Sequence, residues 1–280
     1  MPTLLAKADR PWALRLLPPF PAVANRVLSL ADSDDVTVGK ISETIALDPT
    51  FTAEILRVAN SAYFGATREI ATMQNAVSLL GLNRVKTMAT IIAVNSMVKR
   101  AMGMETLRRF WVHSLVTAIL TEESARVVNP SLEGAHTAGL LHNLGTLGLM
   151  SAYPEEYARM LDVSEEYGFD LIRTERDLFE IDHCSAGAVL AEEWNFPESI
   201  VVAIARHHED PPRRATTLYS LVQVCWRLAD VLGFAAFPSD RPWTYGELME
   251  KLEVRKRSWL TGGVNVIEGE VTSRISNLQL

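Results

Sequence analysis

The residues of this chain that could do chemistry are concentrated in one span. All six histidines fall between His113 and His208, most of them beside apolar residues at helical spacing. The stretch Leu140-Leu141-His142-Asn143-Leu144-Gly145 places an imidazole and a carboxamide at the end of an apolar helical run, just before a glycine. Polar groups in such a place are costly to bury unless they are paired or ligate something. The candidate ligands are His113, His142, Asn143, His183, His207, His208 and Asp230. The steps from His113 to His142, His183, His207 and Asp230 are each about the length of a helix or a helix pair. Each can therefore come from a different helix facing a shared centre, as metal sites in helical bundles are built. Imidazole with carboxylate suits iron, manganese or zinc, so the expected cofactor is none or a single divalent ion of that group. The same residues also read as hydrogen-bonded core histidines, and spacing alone does not choose. Residue 143 weighs on the answer, because aspartate is a strong metal ligand and the neutral amide of asparagine a poor one.

The elements that would carry these groups are helical. A lead-in at residues 1–14 opens a proline-bearing stretch that runs to residue 19, with Trp12 and Leu16 as the side chains expected to dock it. Helices follow from Pro21 with Val23, Val27 and Leu30 inward, from Thr37 with Val38, Ile41 and Ile45 inward, and from about Thr50 with Phe51, Ile55, Val58 and Ala59 inward. Asp32 to Asp35 reads as a turn, Asp48-Pro49 as a helix stop, and Asn60 to Gly65 as a helix end and turn. Thr72 opens a short helix that Gly81 closes, and a longer helix reaches Val98. Further helices are expected at 106–128, 132–143, 154–167, 171–179, 183–194 and from Pro197 to His207-His208. Thr216 or Thr217 starts the one that carries Asp230. Gly134, Ala135, Ala138 and Gly139 favour close helix contact. Thr244 to Glu247 fits a capping box, and Ile267, Val271, Ile275 and Leu278 share a last amphipathic face. No strand pattern occurs. The expected class is all-α, a two-lobed helical bundle divided at 15–105 and 106–235, with a C-terminal helical extension at 236–280.

Composition narrows the function. The chain has 280 residues, 48% apolar and 22% charged, which is globular. A net charge of −7 argues against a broad nucleic-acid or anionic-membrane surface. No stretch has the roughly 18–20 consecutive apolar residues of a membrane span. Cys184 and Cys225 read as reduced, buried thiols. With no signal-peptide core, the expectation is a cytoplasmic protein.

Three stretches carry a family resemblance. They are Leu17-Pro18-Pro19-Phe20-Pro21 through Asp48-Pro49, then Ile55 to Gly65 with Ala59-Asn60-Ser61-Ala62-Tyr63 at its centre, then Ala76 to Leu82. Together they resemble the HDOD domain (HD-related output domain) over residues 15–215. The resemblance implies an all-α bacterial signalling module with an HDOD-like N-terminal lobe and an HD-like second lobe. It also implies kinship with the HD phosphohydrolases and the HD-GYP cyclic-dinucleotide phosphodiesterases. On that likeness Trp111-Val112-His113-Ser114 matches the first histidine motif and His142-Asn143 the defining His-Asp pair. His183 and His207-His208 match the extra histidines, and Asp230 the final aspartate. Asn143 replaces the metal-bridging aspartate, and Thr146 stands where the HD-GYP enzymes have lysine. Both changes remove charge on which phosphoryl chemistry depends.

The resulting expectation is a non-catalytic regulatory module that acts through protein contacts. Its partners would belong to a signalling pathway, such as a sensor kinase or response regulator, and its metal site would be degenerate. One alternative is a weak metal-dependent phosphohydrolase acting on a nucleotide or cyclic dinucleotide, with one ion held by His113, His142 and Asp230. A second is a DNA-binding regulator through residues 74–98, where Arg84 and Lys86 make the helical hairpin basic.

Overall fold

The computed structural model describes residues 11–17, 21–31, 33, 35–60, 70–98, 104–238, 242–252, 254 and 258–278. Among these there is no strand, and the all-α class holds. The chain divides into two compact units, one of Pro19–Lys99 with Thr272–Leu280, the other of Met1–Pro18 with Arg100–Val271.

In the unit built around Pro19–Lys99, local capping chemistry sets several of the helix starts, where the first-turn N–H groups lack intrahelical partners. The helices are α1 (Ala22–Ala31), α2 (Val38–Ala46), α3 (Pro49–Ala59), α4 (Met73–Leu80) and α5 (Leu82–Val98). The Thr37 hydroxyl accepts from the Lys40 N–H at 3.2 Å, and the Thr72 hydroxyl from the Asn75 N–H at 3.3 Å. Asp48 does more than end α2. Its carboxylate accepts from the Phe51 N–H at 3.1 Å, and Pro49 supplies a first helical residue that needs no N–H partner. Gly81, at φ 77°, turns the chain through 109° from α4 into α5 with no intervening loop. Ile41, Ile45, Phe51, Ile55, Val77, Leu80, Val85 and Ala89 form the core. The Asn60 amide donates to the carbonyls of Leu56 and Ile70, both at 2.9 Å, and accepts from the Ile70 N–H at 2.7 Å. The remainder of its motif, Ser61 to Gly65, lies outside the described residues, as do Asp32 and Asp34 of the expected turn.

The unit that carries the histidines is built on α6 (Glu105–Val128), a long helix buried along most of its length. Around it come α7 (Ala135–Leu141), α8 (Leu144–Ala152), α9 (Pro154–Tyr167), α10 (Leu171–Phe179), α11 (His183–Glu193), α12 (Glu198–Arg206) and α13 (Leu218–Ala229). Three expectations need correction. The helix expected at 132–143 stops at Leu141, and a separate helix, α8, occupies 144–152. Residues 144–150 are buried throughout, so α8 has no polar face and no amphipathic period to reveal it. Leu16 does not dock the lead-in, being 64% exposed, whereas Trp12 stacks on Phe179 with ring centroids 5.8 Å apart. Asp230 follows α13 rather than lying within it, at the start of a π-type turn. Beyond it, the expected Thr244 capping box opens α14 (Tyr245–Leu252), and α15 (Val264–Leu278) buries Ile267 and Val271. No single helix among the described residues is long and apolar enough to cross a membrane.

Glycines set the helix crossings nearest the histidines. A Cβ on Gly139 would meet the Ala118 Cα at 2.7 Å, so α7 lies directly against the α6 backbone. A Cβ on Gly145 would overlap the His183 carbonyl and meet the Gly187 N at 2.6 Å, so α8 and α11 cross backbone to backbone. Such overpacking cannot be relieved by a rotamer change. Gly145→Ala is therefore expected to destabilise the fold by about 1–3 kcal/mol or more. A urea titration would show this as a lowered midpoint, and an unchanged midpoint would contradict the crossing.

Candidate metal centre

A cavity of about 250 Å³ brings His113, His142, Asn143, His183, His207, His208 and Asp230 onto one lining. His113 comes from α6, His142 and Asn143 from the turn between α7 and α8, and His183 from the first turn of α11. His207 and His208 follow α12, and Asp230 follows α13. The ring centroids of His113 and His142 are 5.2 Å apart, as are those of His142 and His207. His183 lies 4.8 Å from His208, and His207 lies 4.4 Å from His208. His136 stands apart, paired with Glu122 at 3.1 Å.

The hydrogen bonds divide this cluster in two. In one half every imidazole nitrogen is engaged. Asn143 Nδ2 faces His113 Nδ1 at 3.3 Å, and His113 Nε2 lies 3.0 Å from Asp230 Oδ1 and 3.3 Å from the Trp226 carbonyl. An amide N–H can only donate, so Nδ1 accepts, and Nε2 carries the ring proton and donates it to Asp230. His113 can enter a coordination shell only by breaking one of these bonds.

In the other half the inward nitrogens are open. His142 Nδ1–H donates to the Gly139 carbonyl and His207 Nδ1–H to the Ile204 carbonyl, each at 2.7 Å. The Nε2 atoms of both rings are buried and have no protein partner. Each therefore presents a lone pair that calls for a cation or a donor. Burial, reinforced by the neighbouring imidazoles, holds His142, His207 and His208 well below the ordinary histidine pKa. These rings are neutral, as ligands must be. His183 differs. Burial pushes its pKa down, but the Glu175 carboxylate at 2.7 Å and the adjacent Cys184 outweigh that and raise it well above the ordinary value.

Imidazoles whose outer N–H is fixed by a carbonyl or carboxylate while Nε2 faces inward form the usual ligand arrangement of a nitrogen-rich ion site. The open half fits such an ion, with His142, His207 and His208 as neutral rings able to hold it and His183 able to join them on giving up its Nε2 proton. Cys184 belongs to the same tight group, with ligand atoms of His183, Cys184, His207 and His208 all within 4.8 Å. Its sulfur, however, sits 3.8 Å from His207 Nδ1, the nitrogen already committed to Ile204, and Cys184 does not line the cavity. The positions of His207 and His208 are set from α13. The Arg227 guanidinium donates to their carbonyls at 3.2 and 2.9 Å, and Trp226 Nε1 donates to the His207 carbonyl at 2.6 Å.

Sequence reasoning passed over Glu175 and treated Cys184 as an ordinary buried thiol. The signal for Glu175 was available. Leu171, Glu175 and Phe179 share one face of α10 at i, i+4 and i+8, and Glu175 is fully buried on that apolar stripe.

The depressed histidines carry a pH dependence. Their folded pKa lies below the unfolded value near 6.5, so the unfolded chain binds more protons as pH falls. The stability they contribute is full above about pH 6.5 and is lost progressively below it. His183, with its raised value, contributes with the opposite sign, stabilising at low pH and losing that contribution as pH rises through its folded pKa. Three groups oppose one, so the metal-free protein is expected to melt at lower temperature at pH 5 than at pH 7. A melting temperature that rose on acidification would contradict the assignment of neutral rings.

Comparison with known proteins agrees with this architecture. The HDOD domain family profile matches residues 17–210. An uncharacterized protein of Treponema pallidum (strain Nichols) is 23% identical over 197 residues, 70% of this chain and 38% of that protein. Ribonuclease Y of Thermus thermophilus is 30% identical over 131 residues, 47% of this chain and 20% of the enzyme. The chain thus spans well under half the length of either relative. An HDOD domain protein of unknown function from Geobacter sulfurreducens superposes with a TM-score of 0.69 at 22% identity, over 94% of this chain and 91% of that one. A Marinobacter aquaeolei VT8 protein provisionally assigned to signal transduction gives 0.70 at 21% identity, over 94% and 60%. These likenesses establish the fold, and the profile match across most of the chain establishes that it belongs to the HDOD domain family.

Proposed function

We propose that this chain is a regulatory module that works through contacts with signalling proteins and does not itself hydrolyse phosphodiesters. The observation that carries this reading is the Asn143–His113–Asp230 hydrogen-bond chain. A bridging carboxylate at position 143 would hold two cations close together and draw His113 and Asp230 toward them. The amide instead donates to His113, and both nitrogens of that ring are taken up by hydrogen bonds within the protein. Thr146 supports the same reading. It is fully buried in the first turn of α8 and is not among the cavity-lining residues, so it offers a phosphate neither charge nor contact. The signal-transduction assignment of the Marinobacter structure favours partners such as a sensor kinase or response regulator.

A second reading, a weak phosphohydrolase, draws on the open Nε2 atoms of His142 and His207 and on the ribonuclease among the relatives. An ion held there would supply Lewis acidity to water or a phosphoryl oxygen. One experiment separates the two readings. Protein loaded in turn with manganese, iron, zinc and magnesium is assayed on cyclic dinucleotides, nucleotides and single-stranded RNA. The expected result is no turnover above a His142→Ala control. Turnover by the loaded wild type that disappears in His142→Ala would overturn the non-catalytic reading.

A further inference from the structure

The buried carboxylate of Glu175 plays no part in the cluster read from the sequence, yet a hydrogen-bonded path from the cavity wall runs through His183 to it. Glu175 is fully buried on α10. One of its oxygens, Oε1, accepts from the Tyr157 hydroxyl of α9. The other, Oε2, accepts from both the backbone N–H and the ring Nδ1–H of His183, at 2.8 and 2.7 Å. Helices α9, α10 and α11 are thereby joined through one side chain, and the last bond fixes a ring of the cavity wall.

Two facts distinguish this from ordinary core satisfaction. Among the described residues the ion-pair partner of Glu175 is His183, while the nearby Arg176 pairs with Asp182 instead. A fully buried carboxylate needs positive charge nearby, and here that charge can sit on the His183 ring or beyond it, at Nε2. The bond to Nδ1 also decides which nitrogen faces the cavity. With Nδ1 committed outward, Nε2 is the atom offered to a ligand, the same orientation that carbonyls enforce at His142 and His207. A carboxylate in this outer position makes the ring a better donor than a carbonyl does.

We propose that Glu175 is a positioning residue for metal binding. It holds His183 with Nε2 toward the cavity and strengthens that nitrogen as a ligand, while Tyr157 keeps the carboxylate in place. The proposal rests on the reading that the open half holds a nitrogen-ligated ion.

The test uses the full chain with Glu175→Gln and Glu175→Ala variants and two readouts. The first is nitrogen-15 NMR of the histidine rings in metal-free protein, which reports whether His183 Nδ1 carries a proton. The second is zinc affinity, measured by competition with a chromophoric chelator. Glu175→Gln keeps an oxygen acceptor without the charge. It is expected to retain the proton on Nδ1 and the wild-type fold while losing roughly tenfold in zinc affinity. Glu175→Ala is expected to move the proton off Nδ1 and to lose roughly 100-fold. If Glu175→Ala fails to fold, the affinity of Glu175→Gln decides alone, and an unchanged value overturns the proposal. A Glu175→Ala protein with Nδ1 still protonated overturns it as well. Should the wild type take no zinc, the ion reading of the open half fails and this proposal falls with it. In that event a wild-type pattern of Nδ1 protonation retained in Glu175→Gln and lost in Glu175→Ala would still show that Glu175 orients the ring.

Discussion

An imidazole in a protein interior has two nitrogens, and each needs a partner. The site in this chain is organised by how that requirement is met. At His113 both nitrogens find protein groups, and Asn143 makes this possible because an amide can donate where a carboxylate could only accept. At His142 and His207 only the outer nitrogen is met, by a carbonyl three residues earlier in the chain. The amide at position 143 thus bears on the whole cavity. It engages His113 in a closed hydrogen-bond chain, while the Nε2 atoms of His142 and His207 are buried without a protein partner.

The surrounding structure is arranged to hold that division. The backbone-to-backbone crossing at Gly145 and Gly187 brings the start of α8 against the start of α11, and so brings His142 near His183. Arg227, Trp226 and Gln223 from α13 donate to carbonyls at the C-terminal end of α12, groups that a helix end leaves without partners. Those bonds fix the backbone of His207 and His208. The Arg227 guanidinium also lies 4.5 Å over the Trp226 ring, so its positive charge is engaged by carbonyls and an aromatic face. The Gly145, Trp226 and Arg227 contacts are made to the backbone of the histidines and so place their ring nitrogens.

Much of this was legible in the sequence where local chemistry governs. Thr37, Thr72, Thr217 and Thr244 each cap the helix expected of them, because capping depends on a residue and its neighbour two or three positions on. The positions of the histidines on separate helices were legible too, and the resemblance named the family. What the sequence withheld is non-local. Helix α8 is apolar on every side, so its buried surroundings are invisible to a periodicity argument. The partition of the histidines depends on which atom faces which across four helices. Glu175 was missed for a different reason. A glutamate on an apolar stripe was visible, but its meaning required seeing His183, eight residues later, return to meet it.

The central claim is that Asn143 has closed one half of the centre and left the other open to an ion. The most direct measurement is an anomalous difference map from crystals of this protein soaked in zinc and recorded at the zinc absorption edge. The account predicts a peak within bonding distance of Nε2 of His142 and His207, with His113 still hydrogen-bonded to Asp230. A peak between His113 and Asp230, with Asn143 rotated away from the ring, would contradict it.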